Sequence, residues 1–360
     1  MRSTKYFMSY PIPNKLLADG LSYNRNWLTS LDFLKKYVCK SFNDFWSHEG
    51  DIFSELSMAE ITKAKQNLLI LDCSWISFGI EKIYNLIHTD CIKYNVPEKN
   101  VVLLTANLNK EHQNYSNWFA NSNFKNKIQT FPFPVYIQMA QEINKGVEVS
   151  SVKYNKFVTF SRFPREHRNV MNYALLANKY PVDLSQSKIE DSIIQEQCKK
   201  FNVRYNDNLL CKDFVIDRND FDNHEEAISW TESTSNFLSH YKFILVQDTN
   251  IEDFGFFITE KVWKSMLYER PIIIWGQPGV NNYLKEMGFK LYDNYFDLTF
   301  DNEIDPAKRL HLLLKELNNV SKRMIEKNWH RKDLQTIKFN KEYLLSGKCL
   351  KKWVKPLKVI

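Results

Sequence analysis

The sequence predicts an α/β chain of two lobes, each built on a parallel sheet. Three observations carry this. The chain has 360 residues, more than one small core can fill, so a seam is expected. A strand, helix, strand run occupies residues 68 to 105. A second such run occupies residues 243 to 275. Strand–helix–strand units are the building blocks of parallel sheets, because a parallel return needs a crossover. Apolar residues at 44% and charged residues at 25% exclude wholesale disorder.

Taken in order, residues 68 to 73 (LLILDC) read as a buried strand. A turn from Ser74 to Gly79 follows, then a helical pattern through Ile80, Ile83, Leu86 and Ile87, broken by Pro97 and Asn100. Residues 101 to 105 (VVLLT) form the second strand. The chain turns polar from about Gln138 to Tyr154, and a new strand begins at 157 to 160 (FVTF). This places a first domain over 1–150, a second over 151–320 and a C-terminal helical segment over 321–360; the resemblance described below makes the first acceptor-binding and the second donor-binding. The charged stretch from Ser161 to Asn169 leads into a helix through Val170, Ala174, Leu175 and Leu176, whereas residues 183 to 225 carry no readable period. Then come strand 243 to 247, a polar loop with Gly255, a helix from Thr259, strand 272 to 275, the turn from Gly276 to Gly279, a short helix ending at Gly288 and a basic, helical C-terminus from Pro306.

The formal charge of +7 favours anionic partners such as nucleotide diphosphates, nucleic acid or acidic lipid. The six cysteines lack the paired spacing of a zinc site and read as reduced thiols. The first residues contain no apolar run of signal-peptide length, and no stretch of about 18 uncharged apolar residues occurs, so a cytoplasmic protein without an integral membrane segment is expected.

In an open parallel sheet, ligands bind beyond the carboxyl ends of the strands. The loop from Asp248 to Thr259 occupies such a place. Thr259 is expected to cap the following helix, its hydroxyl accepting from an early N–H, while the remaining free N–H groups suit a phosphate. Lys261 adds a full positive charge that can neutralise a diphosphate leaving group. Glu260 would be repelled by that diphosphate and is better suited to accept from sugar or ribose hydroxyls, or it merely complements the helix dipole. A second cluster, Ser161, Arg162, Arg165 and Arg168, sits on another strand-to-helix turn, and the planar fork of arginine suits phosphate.

The run Phe257-Ile258-Thr259-Glu260-Lys261-Val262-Trp263, preceded by Asp248-Thr249, resembles the signature of the α1,3-fucosyltransferase family, and Arg168-Asn169 falls where that family places its phosphate-binding arginine. The same positions resemble the phage DNA β-glucosyltransferases, which carry a Phe-Ile-Thr-x-basic-Val-Trp run and an earlier arginine pair. Residues 69 to 79 and 102 to 105 loosely resemble the first domain of the phage enzymes. Both resemblances imply two Rossmann-like domains facing a central cleft (the GT-B architecture), with C-terminal helices packing back on the first domain. They imply a nucleotide-sugar donor, UDP- or GDP-linked, held by Arg168 and Lys261, with Glu260 on the sugar or ribose. Ser161, Arg162, Arg165, Asp248, Thr249, Phe257, Thr259 and Gly276 complete the expected donor site. Phe257 replaces the tyrosine of the fucosyltransferase pattern and Gln247-Asp248 its Glu-Asn pair; relative to the phage enzymes, Glu260 and Lys264 depart.

In both families the general base is a first-domain carboxylate, and Asp72 and then Glu111 are the candidates. Asp253-Phe254-Gly255 is set aside as a kinase motif because no His-Arg-Asp loop or glycine-rich loop accompanies it. Asp220-Phe221-Asp222 has metal-binding spacing but no preceding strand, and a divalent metal is not expected to be required. The expected activity is therefore an inverting glycosyl transfer by a monomer. A hydroxymethylated base in duplex DNA is the favoured acceptor, a cell-surface glycan the alternative, and a catalytically silent nucleic-acid-binding protein the reading of another class. The basic stretch 346 to 360, with Trp353 and Leu357 among its lysines, either touches a polyanion or membrane surface or packs back as a helix.

Overall fold

A computed structural model describes residues 37–41, 51–74, 80–143, 149, 151–160, 164–185, 188–206, 209–210, 238–252, 255–323 and 331–357. Ser161, Arg162, the Asp220-Phe221-Asp222 triplet, Asp253, Phe254 and Cys211 lie outside the described residues.

The first sheet is four-stranded and parallel: β1 (Val38–Ser41), β2 (Leu69–Cys73), β3 (Val101–Thr105) and β4 (Gln129–Pro132), in that spatial order. Crossovers run through α1 (Met58–Gln66), α2 (Ile80–Tyr94) and α3 (Glu111–Ala120), and α4 (Val135–Ile143) follows the last strand. The start of α1 is fixed locally by a capping box: the Ser57 hydroxyl accepts from the Glu60 N–H, and the Glu60 carboxylate accepts from the Ser57 N–H. Strands β2 and β3 are buried throughout, which explains their unbroken apolar sequence. Side chains alternate across the pleat, so Leu69, Leu71, Val101 and Leu103 face a core with Ile83, Ile87 and Tyr115, while Ile70, Val102 and Leu104 face the other way.

The second sheet holds β5 (Tyr154–Phe160), β6 (Val182–Ser185), β7 (Tyr241–Gln247) and β8 (Ile272–Trp275), all parallel, in the order β6-β5-β7-β8. Its helices are α5 (Glu166–Ala177), α6 (Asp191–Lys200), α7 (Glu260–Leu267) and α8 (Val280–Glu286). From β5 the chain winds outward to β6 in one direction and to β7 and β8 in the other. The sheet therefore has a switch point between the neighbours β5 and β7, the place in an open parallel sheet beyond whose strand ends ligands bind.

The C-terminal part forms α9 (Pro306–Arg323), α10 (Arg331–Leu345) and α11 (Lys351–Leu357). Helix α10 packs on both α4 and α7, and Gln141 of α4 donates to the Leu344 carbonyl at 2.6 Å. It also seats Tyr343 against Gly288, which ends α8 at φ +98, where a Cβ would collide with the tyrosine. Trp353 and Leu357 of α11 are buried, so this basic stretch does pack back as a helix, its lysines outward. Among the described residues no helix is long and apolar enough to cross a membrane, and the described cysteines 39, 73, 91, 198 and 349 are free thiols.

The two sheets share apolar packing. Ile70, Val102, Leu104, Phe133, Val135, Ile137 and Ala140 belong to the same buried cluster as Val246, Val262, Trp263 and Ile274. Polar staples lie beside it: the Leu108 N–H donates to the Phe256 carbonyl, the Phe256 N–H to Asn109 Oδ1, and the Tyr283 hydroxyl to the Leu108 carbonyl.

Candidate functional site

The first turn of α5 and the segment after β7 meet at Asp248, the residue immediately after β7. Its N–H continues the ladder onto the Trp275 carbonyl, which locks the backbone. Its carboxylate accepts from the Thr249 N–H at 2.7 Å and from the Thr259 hydroxyl at 2.9 Å. Its carbonyl accepts from His167 Nε2 at 2.9 Å and from Arg168 Nε at 3.3 Å, while Arg168 Nη2 donates to Thr249 Oγ1 at 3.3 Å. One residue thus ties together the first turn of α5, the loop after β7 and the start of α7.

Burial raises the Asp248 carboxyl to about 6, against the lowering influence of Lys261, its two hydrogen bonds and Arg168. Burial lowers Arg168 to about 10, with Arg165 adding to the effect and Asp248 and Glu260 opposing it. Asp248 is therefore within electrostatic reach of both Arg168 and Lys261, and Arg168 within reach of Glu260. The two cations expected to grip a diphosphate thus both act on one carboxylate at the switch point. Arg165 lies exposed at the turn before α5, close enough for its charge to act on Arg168 and to be acted on by Asp248.

Thr259 occupies the cap position of α7 in extended conformation, but its side chain accepts no N–H. The expected capping bond is absent; the hydroxyl instead donates to the buried Asp248 carboxylate, a bond that orients the side chain toward β7. The first turn of α7 carries instead the pair Glu260–Lys261, 2.6 Å apart, with side chains 25% and 28% exposed. Burial pushes the Glu260 carboxyl up, and the Lys261 ammonium, with help from Lys264, outweighs it and holds the carboxyl below its usual value.

The remaining expected donor residues line the same wall. Phe257 is buried, donates its N–H to Gln277 Oε1 at 2.8 Å and packs edge-on to Tyr136 of α4. Gly276 is needed for space: a Cβ there would lie 3.1 Å from that of Asp248. Gln277, not singled out from the sequence, braces the 252–257 loop by donating to the Glu252 and Gly255 carbonyls at 2.8 and 2.5 Å. Tyr136 is likewise new. Burial, then Glu260 and Asp248, raise its pKa well above the usual value, so a phenol of α4 lies within electrostatic reach of both carboxylates. Nothing in the sequence near Tyr136 could have signalled this, since the juxtaposition comes from α4 packing on α7.

Asp72 and Glu111 lie inside the first lobe. Asp72, at the end of β2, accepts from the Ser74 N–H and hydroxyl at 3.0 and 2.5 Å. Glu111 opens α3, accepts from the Tyr84 hydroxyl at 2.6 Å, and burial raises its pKa. Both residues are buried. The loop before Glu111 touches the other lobe, since Asn107 and Lys110 flank Gly255.

A cavity of about 510 Å³ opens elsewhere, among Asn282, Asp293, Tyr295, Phe296, Asp297 and Arg323, and shares no lining residue with the Asp248 network. Among the described residues no group of three or more His, Cys, Asp or Glu side chains is placed to hold a metal ion.

His167 gives the site an acid sensitivity. Burial and then Arg168 lower its imidazole from 6.5 to about 3, although the bond to the Asp248 carbonyl favours the charged form. A folded pKa below the unfolded one means that the unfolded chain binds the extra proton between pH 6.5 and 3, so stability falls as pH drops through that window. Asp248, raised above its unfolded value, acts in the opposite direction between 3.8 and about 6. Comparison with His167→Gln cancels the Asp248 contribution: from pH 7 to pH 5 the wild type is expected to lose about 2 kcal/mol relative to the variant. Urea titrations at the two pH values measure this, and equal losses would show that the imidazole is not held neutral.

No protein-family model matches the chain. No curated protein matches it either. Among solved structures, a T4 phage BGT mutant in complex with UDP-glucose is similar at 11% identity, over 84% of this chain and 77% of that one, with a TM-score of 0.40. The DNA modifying enzyme β-glucosyltransferase, solved in the presence and absence of its substrate uridine diphosphoglucose, is similar at 13% identity, over 83% and 84% of the two chains, with a TM-score of 0.41.

Proposed function

We propose that this chain is a glycosyltransferase that takes a sugar from a nucleoside-diphosphate donor. The observation that carries the reading is that Arg168 donates to the Asp248 carbonyl at the switch point between β5 and β7, while Lys261, in the first turn of α7, lies within electrostatic reach of the same residue. A guanidinium and an ammonium, partly withdrawn from water on two separate turns, are suited to the charge that develops on a diphosphate as the sugar bond breaks. The motif around Phe257 to Trp263 supports the same reading. Residues 151–320 act as the donor domain, with Arg165, Thr249 and the first turn of α7 flanking the phosphates and Glu260 accepting from ribose or sugar hydroxyls. Residues 1–150 act as the acceptor domain, and 321–360 clamp the two.

In the proposed reaction the acceptor oxygen attacks the anomeric carbon, the bond to the phosphate oxygen breaks, the hydroxyl proton passes to a carboxylate and the diphosphate leaves toward Arg168 and Lys261. The stereochemistry is inverting, because a single displacement needs one base and no nucleophilic carboxylate on the sugar. The base is one of Asp72 and Glu111. Glu111 is the better placed, since its loop abuts Gly255 and its raised pKa brings it closer to neutral pH. A divalent metal is unnecessary where two cations take the leaving charge. We favour a monomeric, cytoplasmic enzyme and a hydroxymethylated base in duplex DNA as acceptor, reached by flipping the nucleotide out of the stack.

Incubation with a panel of UDP- and GDP-sugars tests the donor reading. The matching nucleotide at about a hundred times its Kd should stabilise the fold by about 2.7 kcal/mol, raising Tm. A melting curve unmoved by every donor would refute it. Binding of modified duplex at two salt concentrations tests the acceptor: duplex affinity that falls steeply with salt supports DNA, whereas activity on a glycan with salt-insensitive kinetics replaces it.

A further inference from the structure

Lys261 is not free to meet a diphosphate, because its ammonium is paired with Glu260 at 2.6 Å. Releasing it strands a carboxylate that is three-quarters buried, and an uncompensated buried charge is costly. The pairing also runs against helix geometry. Adjacent residues on an α-helix point about 100° apart and do not face each other, so Lys261 reaches Glu260 only by folding back. The partner that helix geometry does offer Glu260 is Lys264, four residues on, with the acid on the N-terminal side as the favourable orientation requires. Lys264 is half-buried on the same helix.

We infer, resting on the donor-site reading above, that Lys264 is a positioning residue: when the diphosphate draws Lys261 away, Lys264 becomes the counter-ion of Glu260. Glu260 then keeps its charge and its orientation toward the sugar while Lys261 turns to the phosphates. The field at Lys264 agrees. Burial lowers its pKa to about 8, Glu260 opposes this and Lys261 adds to it. Removal of Lys261 toward a dianion takes away a repelling neighbour and leaves the attracting one, so donor binding should draw a proton onto Lys264 at alkaline pH. Of the elements packed on α7, α4 brings Tyr136 toward Glu260, and α10 brings Lys341, whose ammonium is committed to Glu269 at 2.7 Å.

Inorganic pyrophosphate is the probe, because it presents the diphosphate without the hydroxyls that Glu260 would hold. By calorimetry, Lys264→Met should weaken pyrophosphate binding about tenfold in the wild-type background, yet less than about twofold in a Lys261→Met background, since it acts through Lys261. A residue touching the phosphates itself would lose the same factor in both backgrounds, and that additivity would overturn the proposal, as would unchanged binding in the single variant. Lys264→Arg, which keeps its charge, serves if the Met variant fails to fold: above pH about 8 the wild type should lose affinity and the Arg variant retain it, and parallel profiles would overturn the proposal. A wild type that binds neither pyrophosphate nor any nucleotide refutes the donor site itself and the exchange with it; a wild type that binds, with Lys264→Met additive or silent, refutes the exchange alone.

Discussion

Lys261→Ala is expected to lower kcat by about a hundred- to a thousand-fold and to leave the melting temperature nearly unchanged. The size follows from the proposed role, that of a cation set where the charge of a leaving diphosphate would develop, in a site only partly open to water. The small effect on stability follows from exposure, since more than a quarter of the Lys261 side chain reaches solvent, and from Lys264, which on the proposal above takes over as the counter-ion of Glu260. Single-turnover kinetics beside a melting curve check it. Turnover within a few-fold of wild type would take Lys261 out of the mechanism, and a collapse of the fold would make it a structural residue.

Arg168→Met should fail on both counts, and the contrast separates the two cations. The guanidinium is 3% exposed, donates to the Asp248 carbonyl and to the Thr249 hydroxyl, and offsets the buried Asp248 carboxylate. Removing it leaves buried acceptors and a buried acid with less compensation, a cost of about 3 kcal/mol. Donor affinity should fall with it, since a fork cannot be replaced by packing. Arg168→Lys, which restores charge but not the fork, should recover part of the stability and little of the affinity. Urea unfolding and nucleotide titration measure the pair; a stable Arg168→Met protein that still binds donor would sink the donor site as drawn.

The sequence was most legible where local pattern and global position agree. The run from 243 to 275 is apolar where the strands are buried at every residue, so its strand, loop, helix, strand order could be read directly. Arg168 and Lys261 stood out because each follows a strand and opens a helix. The strands that escaped notice are short and chemically mixed. β1 carries Lys40, β4 ends in Pro132, and β6 carries Asp183, which pairs with Lys156 and accepts from the Tyr241 hydroxyl. All three lie at sheet edges, where pairing on one side is enough and the apolar signature weakens. The Thr259 bond was misjudged for another reason: a cap is a local inference, and its competitor Asp248 is eleven residues away. Tyr136 and Gln277 were invisible because their roles arise from packing between distant segments.

The apolar cluster that runs from the first sheet through α4 into the second has a consequence for how the molecule comes apart. The first lobe keeps one core of its own, but its other face is buried in the cluster it shares with the second lobe, so part of the stability of each is held in common. Denaturant should melt the pair as one cooperative unit, and a chain cut near residue 150 would leave two sticky halves. At the proposed donor site, motion is then expected to be confined to small adjustments near Gly255 and Phe256, with the shared interior left intact.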